Sequence, residues 1–469
     1  MTRFTRGHTQ AGAVLSAALL ATCLIAGCGE SGPARPNIVV VVLDTVRRDV
    51  SELSSTGVSP TPNLDRLGSE STVFTNAWST GPWTVPSHAS MLTGLLPSSH
   101  GCTGYNSFLG SERRTVAEYL VGHGYETVAF FSNPWLTDRM TGMMRGFETR
   151  YEEVGHDTRV FNIVDQGGEA TSRNIATWLG ERKGDKPFLM FVNFLEPHLP
   201  YSPPEAYRLE HLPNLPARSI VTTEWAHEFN AGMYPAQDVD WERVISLYLG
   251  DVATADSYLG ELLGELERQG LYENTAVIVT SDHGENLGEH GYMDHQFGLF
   301  ETLLAVPLVV RTPGQREPAV RTDPAMLTDI FPTVLELAGV ENAPDLLHAR
   351  SLLGPPAPED RPLIAEYSGA GVPLIEILQS INPELDVSQM VLASATVRVG
   401  QLRFTLSSDG EGNLQDFTRN PVDRADLARH GRTISSSMVR LLPAVVQPSG
   451  EMEMDEETRE SLRSLGYLP

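Results

Sequence analysis

Apolar positions along this chain follow two periods. Some runs are unbroken and β-branched, the pattern of strands buried on both faces of a parallel sheet. Residues 36–44 read Pro-Asn-Ile-Val-Val-Val-Val-Leu-Asp. Comparable runs lie at Glu126 to Ser132, Phe188 to Phe194, Thr275 to Ser281 and Val306 to Arg311. Between them, apolar residues recur at helical spacing. Thr61 to Leu67 reads as a Pro-started helix, Thr115 to His123 as a helix closed by Gly124, and Ala170 to Arg182 as another. Trp241 to Gly270 is a long helical segment with Leu259, Leu262, Leu263 and Leu266 on one stripe. Thr328 to Ala338 is a further helix. The alternation predicts an α/β fold, a three-layer sandwich with a central, mainly parallel sheet.

The pattern changes beyond about residue 345. Ala395 to Leu406 alternates on either side of Gly400-Gln401 as a hairpin does, and Ser435 to Val446 is a predicted helix. The expected organisation is a catalytic domain at 37–345, a small C-terminal α+β subdomain at 346–450 and an acidic tail at 451–469. Residues 203–240 are Pro-rich and read as a long irregular excursion that shapes a substrate entrance.

The N-terminus is a different kind of segment. Arg3 and Arg6 precede a short apolar run from Ala11 to Ile25, which ends Leu-Ile-Ala-Gly-Cys at Cys28. This resembles a bacterial lipoprotein box, with residues 1–28 as the signal and 29–36 as a tether. The alternative is a plain secretory signal cut at a small residue. The expectation is an exported lipoprotein, anchored to a membrane through Cys28 and facing the periplasm or the cell exterior. Of the three Cys, only Cys102 then remains, so no intrachain disulfide is available. The 469 residues carry a formal net charge of -26, which disfavours nucleic acid as a partner.

Candidate chemistry gathers at the ends of the predicted strands. Asp44 ends the first, Asp282 and His283 follow the fourth, and open α/β sheets bind ligands at such edges. Thr84 opens the Pro-initiated helix of Trp83-Thr84-Val85-Pro86-Ser87-His88. Two carboxylates and an imidazole around a divalent cation leave a place for the Thr84 alkoxide, which needs such activation to act as a nucleophile. His198, past the third strand, and His295 are donors to substrate oxygens or ligands of a second metal. His88 and Asn133 read as substrate-binding residues, Asn133 as a donor to a substrate oxygen, while Glu285, Asp294 and Tyr201 read as hydrogen-bonding support.

With these residues in view, the chain resembles the sulfatases of the alkaline phosphatase superfamily. The resemblance runs from about Asn37 to Gly339, with an echo at Leu465-Gly466-Tyr467. It rests on 36–44, Thr61-Pro62-Asn63-Leu64-Asp65-Arg66-Leu67, Pro86-Ser87-His88-Ala89-Ser90 with Thr93-Gly94, Glu196-Pro197-His198, Ser281-Asp282-His283-Gly284-Glu285 and Val306-Pro307-Leu308. It implies an alkaline-phosphatase-like fold and a metal-dependent hydrolase of sulfate or phosphate esters. Asp44, Thr84, Asp282 and His283 fall on the family's metal and nucleophile positions. His198 and His295 fall on positions that contact the transferred group.

The departures from the family pattern are chemically specific. Its sulfatases carry Cys or Ser, oxidised to formylglycine, where Thr84 stands, and Arg where His88 stands. The usual second Asp is Thr45, the usual Asp-Asn pair is Asp282-His283, and the usual Lys-Trp-His is Ser132-Asn133-Pro134. Loss of oxygen and gain of nitrogen ligands favour zinc or manganese over calcium or magnesium. These features resemble the superfamily's phosphodiesterases, phosphonate monoester hydrolases and phosphoethanolamine transferases. The expected substrate is a small-molecule, glycan or lipid ester, with a phosphodiester or phosphonate ester favoured. A sulfatase working without formylglycine and a non-catalytic binding lipoprotein are the alternatives.

Overall fold

The computed structural model describes residues 35–104, 106–153, 166–211, 220–417 and 438–443. The signal segment with Cys28, most of the tether, the acidic tail, Tyr467 and half of the helix expected at 435–446 lie outside the described residues.

The central sheet has eight strands: β1 (Asn37–Leu43), β2 (Thr72–Phe74), β3 (Glu126–Phe131), β4 (Thr149–Glu152), β5 (Phe188–Phe194), β6 (Thr275–Thr280), β7 (Leu308–Arg311) and β8 (Ala319–Arg321). Their spatial order is β8-β2-β7-β6-β1-β5-β3-β4. The middle strand, β1, is buried along its whole length and pairs in parallel with β5 and β6. This explains its composition. Helices cover both faces, so each side chain of the run meets apolar atoms whichever way it points. Ile38, Val40 and Val42 enter one hydrophobic cluster, and Val39, Val41 and Leu43 the other.

Among the described residues, nine longer helices make the outer layers and surroundings: α1 (Pro62–Gly68), α2 (Thr84–Thr93), α3 (Val116–Val121), α4 (Gly168–Glu181), α5 (Glu205–His211), α6 (Thr223–Asn230), α7 (Trp241–Arg268), α8 (Ile330–Leu337) and α9 (Val372–Ile381). Residues of α2, α3 and α8 lie in the first cluster, and residues of α1, α4 and α7 in the second. The three layers are thus helix, sheet, helix. The C-terminal part forms a four-stranded antiparallel sheet of β9 (Leu363–Tyr367), β10 (Ser394–Val399), β11 (Leu402–Ser407) and β12 (Gly412–Asp416). The hairpin expected at 395–406 is β10 and β11.

Two local expectations need correction. Residues 203–240 are not irregular throughout, because they hold α5 and α6. Their prolines read as breakers, yet Pro204 precedes a helix. Thr222 caps α6 by accepting the Trp225 N–H at 3.2 Å. The run at 306–311 is a strand, but β7 lies antiparallel to β6. An apolar run carries no sign of its direction.

Leu259 is fully buried on α7, where that helix meets the sheet. Leu259→Ala is expected to destabilise the chain by about 2–5 kcal/mol, read as a lower urea midpoint at unchanged slope. A shift within error would show that α7 is not part of the core.

Candidate metal and active site

Four parallel strands deliver their following residues to one edge of the sheet. Asp44 comes after β1, Asn133 after β3, His198 after β5, and Asp282 with His283 after β6. Thr84 arrives differently, as the first residue of α2, behind an extended Trp83 with φ -153° and ψ 171°. Every residue of α2 is buried, and Gly94 closes it in the left-handed region at φ 73°. Asp44, Thr84, His88, Asn133, Asp282, His283 and His295 are fully buried, and His198 nearly so.

The hydrogen bonds select one donor atom on each of three residues. Asp44 Oδ2 accepts from the Asn133 and Asn193 amides, both at 3.0 Å. Asp282 Oδ1 accepts from the backbone N–H of Thr45 at 3.3 Å and of His283 at 3.0 Å. His283 Nδ1 faces the Gly284 carbonyl at 2.9 Å, so Nδ1 carries the proton and Nε2 the lone pair. Among the described residues, Asp44 Oδ1, Asp282 Oδ2 and His283 Nε2 have no hydrogen-bond partner. His283 Nε2 lies 3.2 Å from Asp282 Oδ2 and 3.9 Å from Asp44 Oδ1. Asp44, Asp282 and His283 each offer a ligand atom within 4.8 Å of the others.

Two buried carboxylates without a cation are costly. Among the described residues, no Lys or Arg pairs with either one. Arg47 is nearby in sequence, but its guanidinium holds Asp49, Glu289 and the Glu285 carbonyl. Burial works against the Asp282 carboxylate, yet His283, His88 and His295 together hold it below the usual carboxylate range. The three orphaned atoms fit a divalent cation.

Thr84 stands at this centre. Asn133 Nδ2 reaches Thr84 Oγ1 at 3.4 Å as well as Asp44, while Asn133 Oδ1 accepts the Trp135 N–H at 3.0 Å. That last bond fixes which end of the amide faces Thr84. His88 Nδ1 lies 2.9 Å from the Thr84 carbonyl and 3.4 Å from Asp282 Oδ2. His88 therefore lies, fully buried, beside the Asp282 carboxylate.

His295 and His198 face each other with ring centroids 5.0 Å apart, and His295 lies 4.3 Å from His283. His295 Nδ1 is backed by Asp294 at 2.8 Å and Glu285 at 3.3 Å. Burial opposes the imidazolium, but these two carboxylates outweigh it and push the His295 pKa well above its ordinary value. His198 donates from Nδ1 to the Leu199 carbonyl at 2.7 Å, and burial, then His295, push its pKa down. The neighbours thus have opposite tendencies, a charged donor beside a neutral acceptor. Glu285, Asp294 and His295 form a second cluster of potential ligands, whose members already bond one another.

Sequence reading missed three supports. Asn193 lies within the apolar run of β5. Tyr248 lies on α7, donates to the Thr45 carbonyl at 2.9 Å and accepts the Arg47 N–H at 3.1 Å. Thr45 adopts φ 58°, an unusual conformation for a β-branched residue, and this aims its N–H at Asp282. Only the polar interruption of β5 was a visible signal.

The sulfatase family model matches residues 36–340. The chain is 25% identical over 437 residues to an ulvan-active sulfatase of Formosa agariphila, covering 85% of this chain and 78% of that one. It is 26% identical over 387 residues to an arylsulfatase of Clostridium perfringens, covering 68% and 78%. The crystal structure of a phosphonate monoester hydrolase of Agrobacterium radiobacter matches with a TM-score of 0.66 at 20% identity, over 87% and 94% of the two chains.

A Cβ at Gly284 would stand 1.9 Å from the Thr302 carbonyl oxygen, so only glycine fits after His283. Gly284→Ala is expected to lower the melting temperature and to weaken zinc binding by about tenfold or more, because it displaces the His283 anchor. Unchanged zinc affinity by titration calorimetry would contradict that placement.

Proposed function

The chain belongs to the sulfatase family and is an ester hydrolase, and from that premise we propose that Thr84 is its nucleophile, acting on a monoanionic ester. The observation that carries this reading is the trio of orphaned atoms on Asp44, Asp282 and His283 beside a Thr84 hydroxyl that shares Asn133 with Asp44. Family members generally use a divalent metal, and zinc or manganese suits this donor set. Bound there, the cation supplies Lewis acidity that lowers the Thr84 hydroxyl pKa.

The chain's own residues account for the remaining chemistry. The Thr84 hydroxyl proton passes to solvent water as the alkoxide forms, and Asn133 Nδ2 stabilises the charge left on Oγ1. Oγ1 forms a bond to phosphorus or sulfur as the bond to the leaving oxygen breaks. His295 Nε2 gives that oxygen a proton. In the second step water attacks the Thr84 ester and passes a proton to His295, while Thr84 Oγ1 takes a proton from solvent water as the ester bond breaks. A threonine ester cannot collapse to an aldehyde as a formylglycine hydrate does, so hydrolysis is needed.

Charge supports the substrate class. Arg47 is engaged elsewhere, and Lys186 is exposed ahead of the opposite end of β5. With few fixed cations the site favours a monoanion over a phosphomonoester dianion. A phosphodiester or phosphonate ester is the first reading. A sulfate monoester is the second, favoured by the names of the relatives. The relative active on ulvan extends the substrate class to glycan esters.

Thr84→Ala should lower turnover on the order of 10⁴-fold or more while retaining the metal. Wild-type protein should cleave a nitrophenyl phosphodiester or phenylphosphonate faster than nitrophenyl sulfate. Full activity of Thr84→Ala would exclude the covalent scheme, and sulfate-only turnover would favour the second reading. The lipoprotein box motivates a separate proposal, a lipid anchor at Cys28. Labelled fatty acid should enter the wild type and not Cys28→Ser, and labelling of both would contradict it.

A further inference from the structure

Asn193 has no place in the chemistry above, yet it is fully buried in β5 and points an amide at the centre. A strand core normally uses an apolar residue there, since a buried amide needs partners. Its Nδ2 donates to Asp44 Oδ2, the atom that also receives Asn133. Two N–H donors on one carboxylate oxygen fix the plane of the group and leave the other oxygen without a partner among the described residues. The same division occurs at Asp282 with two backbone N–H groups.

We infer that Asn193 is a positioning residue that, with Asn133, makes Asp44 a one-oxygen ligand through Oδ1. Without the Asn193 donor, Asp44 is free to turn about its terminal torsion and present both oxygens. A cation then gains an oxygen and loses the open position a reacting oxygen needs. The register supports the assignment, because Asn193 pairs with Val42 on β1, two residues before Asp44. The inference rests on the cation reading proposed above.

The test loads the full-length protein with cobalt(II), whose visible bands weaken as coordination number rises. Asn193→Leu fills the amide's space without its donors, and Asn193→Ser removes the amide but leaves room. Both should bind cobalt about 10–100-fold more weakly, with weaker visible bands. Val192→Ala, a change at the preceding position of β5 that removes no hydrogen-bonding group, should keep the wild-type spectrum. Wild-type affinity and spectrum in both Asn193 variants would overturn the inference. An equal spectral change in Val192→Ala would also overturn it. Failure of both Asn193 variants to fold would give the residue a structural role and contradict the assignment. Absence of cobalt from the wild type would instead count against the cation reading itself.

Discussion

Two carboxylates are buried within a few ångströms of a third ligand, with no Lys or Arg paired to either among the described residues. In a low-dielectric site that arrangement is unfavourable unless something positive joins it. Much of the surrounding structure divides the work at each carboxylate. One oxygen of Asp44 and one of Asp282 take two N–H donors apiece, and the other oxygen is kept apart. His283 repeats the pattern with its two nitrogens. Tyr248 holds the Thr45 turn that makes one of those donations.

The fold makes this possible because its central strands run parallel. Asp44, Asn133, His198, Asp282 and His283 all follow strands that end at one edge, while α2 supplies Thr84 from the flanking layer. The apolar runs of β1, β5 and β6 bury both faces and hold that edge rigid. His295 comes from a later loop, and Asp294 and Glu285 set its ring against His198.

Much of this was legible in the sequence, and the limits have physical reasons. Unbroken β-branched runs announced a parallel sheet, and a carboxylate at the end of such a run announced the site. Thr84, His198 and His295 needed the family resemblance as well, since a lone hydroxyl or imidazole has no spacing of its own. Asn193 stayed hidden because a polar residue within an apolar run says nothing about its partner. Tyr248 stayed hidden within the long helix for the same reason. The direction of β7 and the helices α5 and α6 depend on tertiary contacts and capping that hydrophobic pattern does not encode.

In the proposed reading Thr84 is the nucleophile. Its hydroxyl cannot become an aldehyde, so that reading depends on a cation at the neighbouring carboxylates and on release of an ester by water. The most direct measurement is anomalous diffraction from zinc- or manganese-loaded crystals. The account places one peak about 2.0–2.2 Å from Asp44 Oδ1, Asp282 Oδ2 and His283 Nε2, with Thr84 Oγ1 adjoining it. No peak there, or a peak bonded through Asp44 Oδ2, would contradict it.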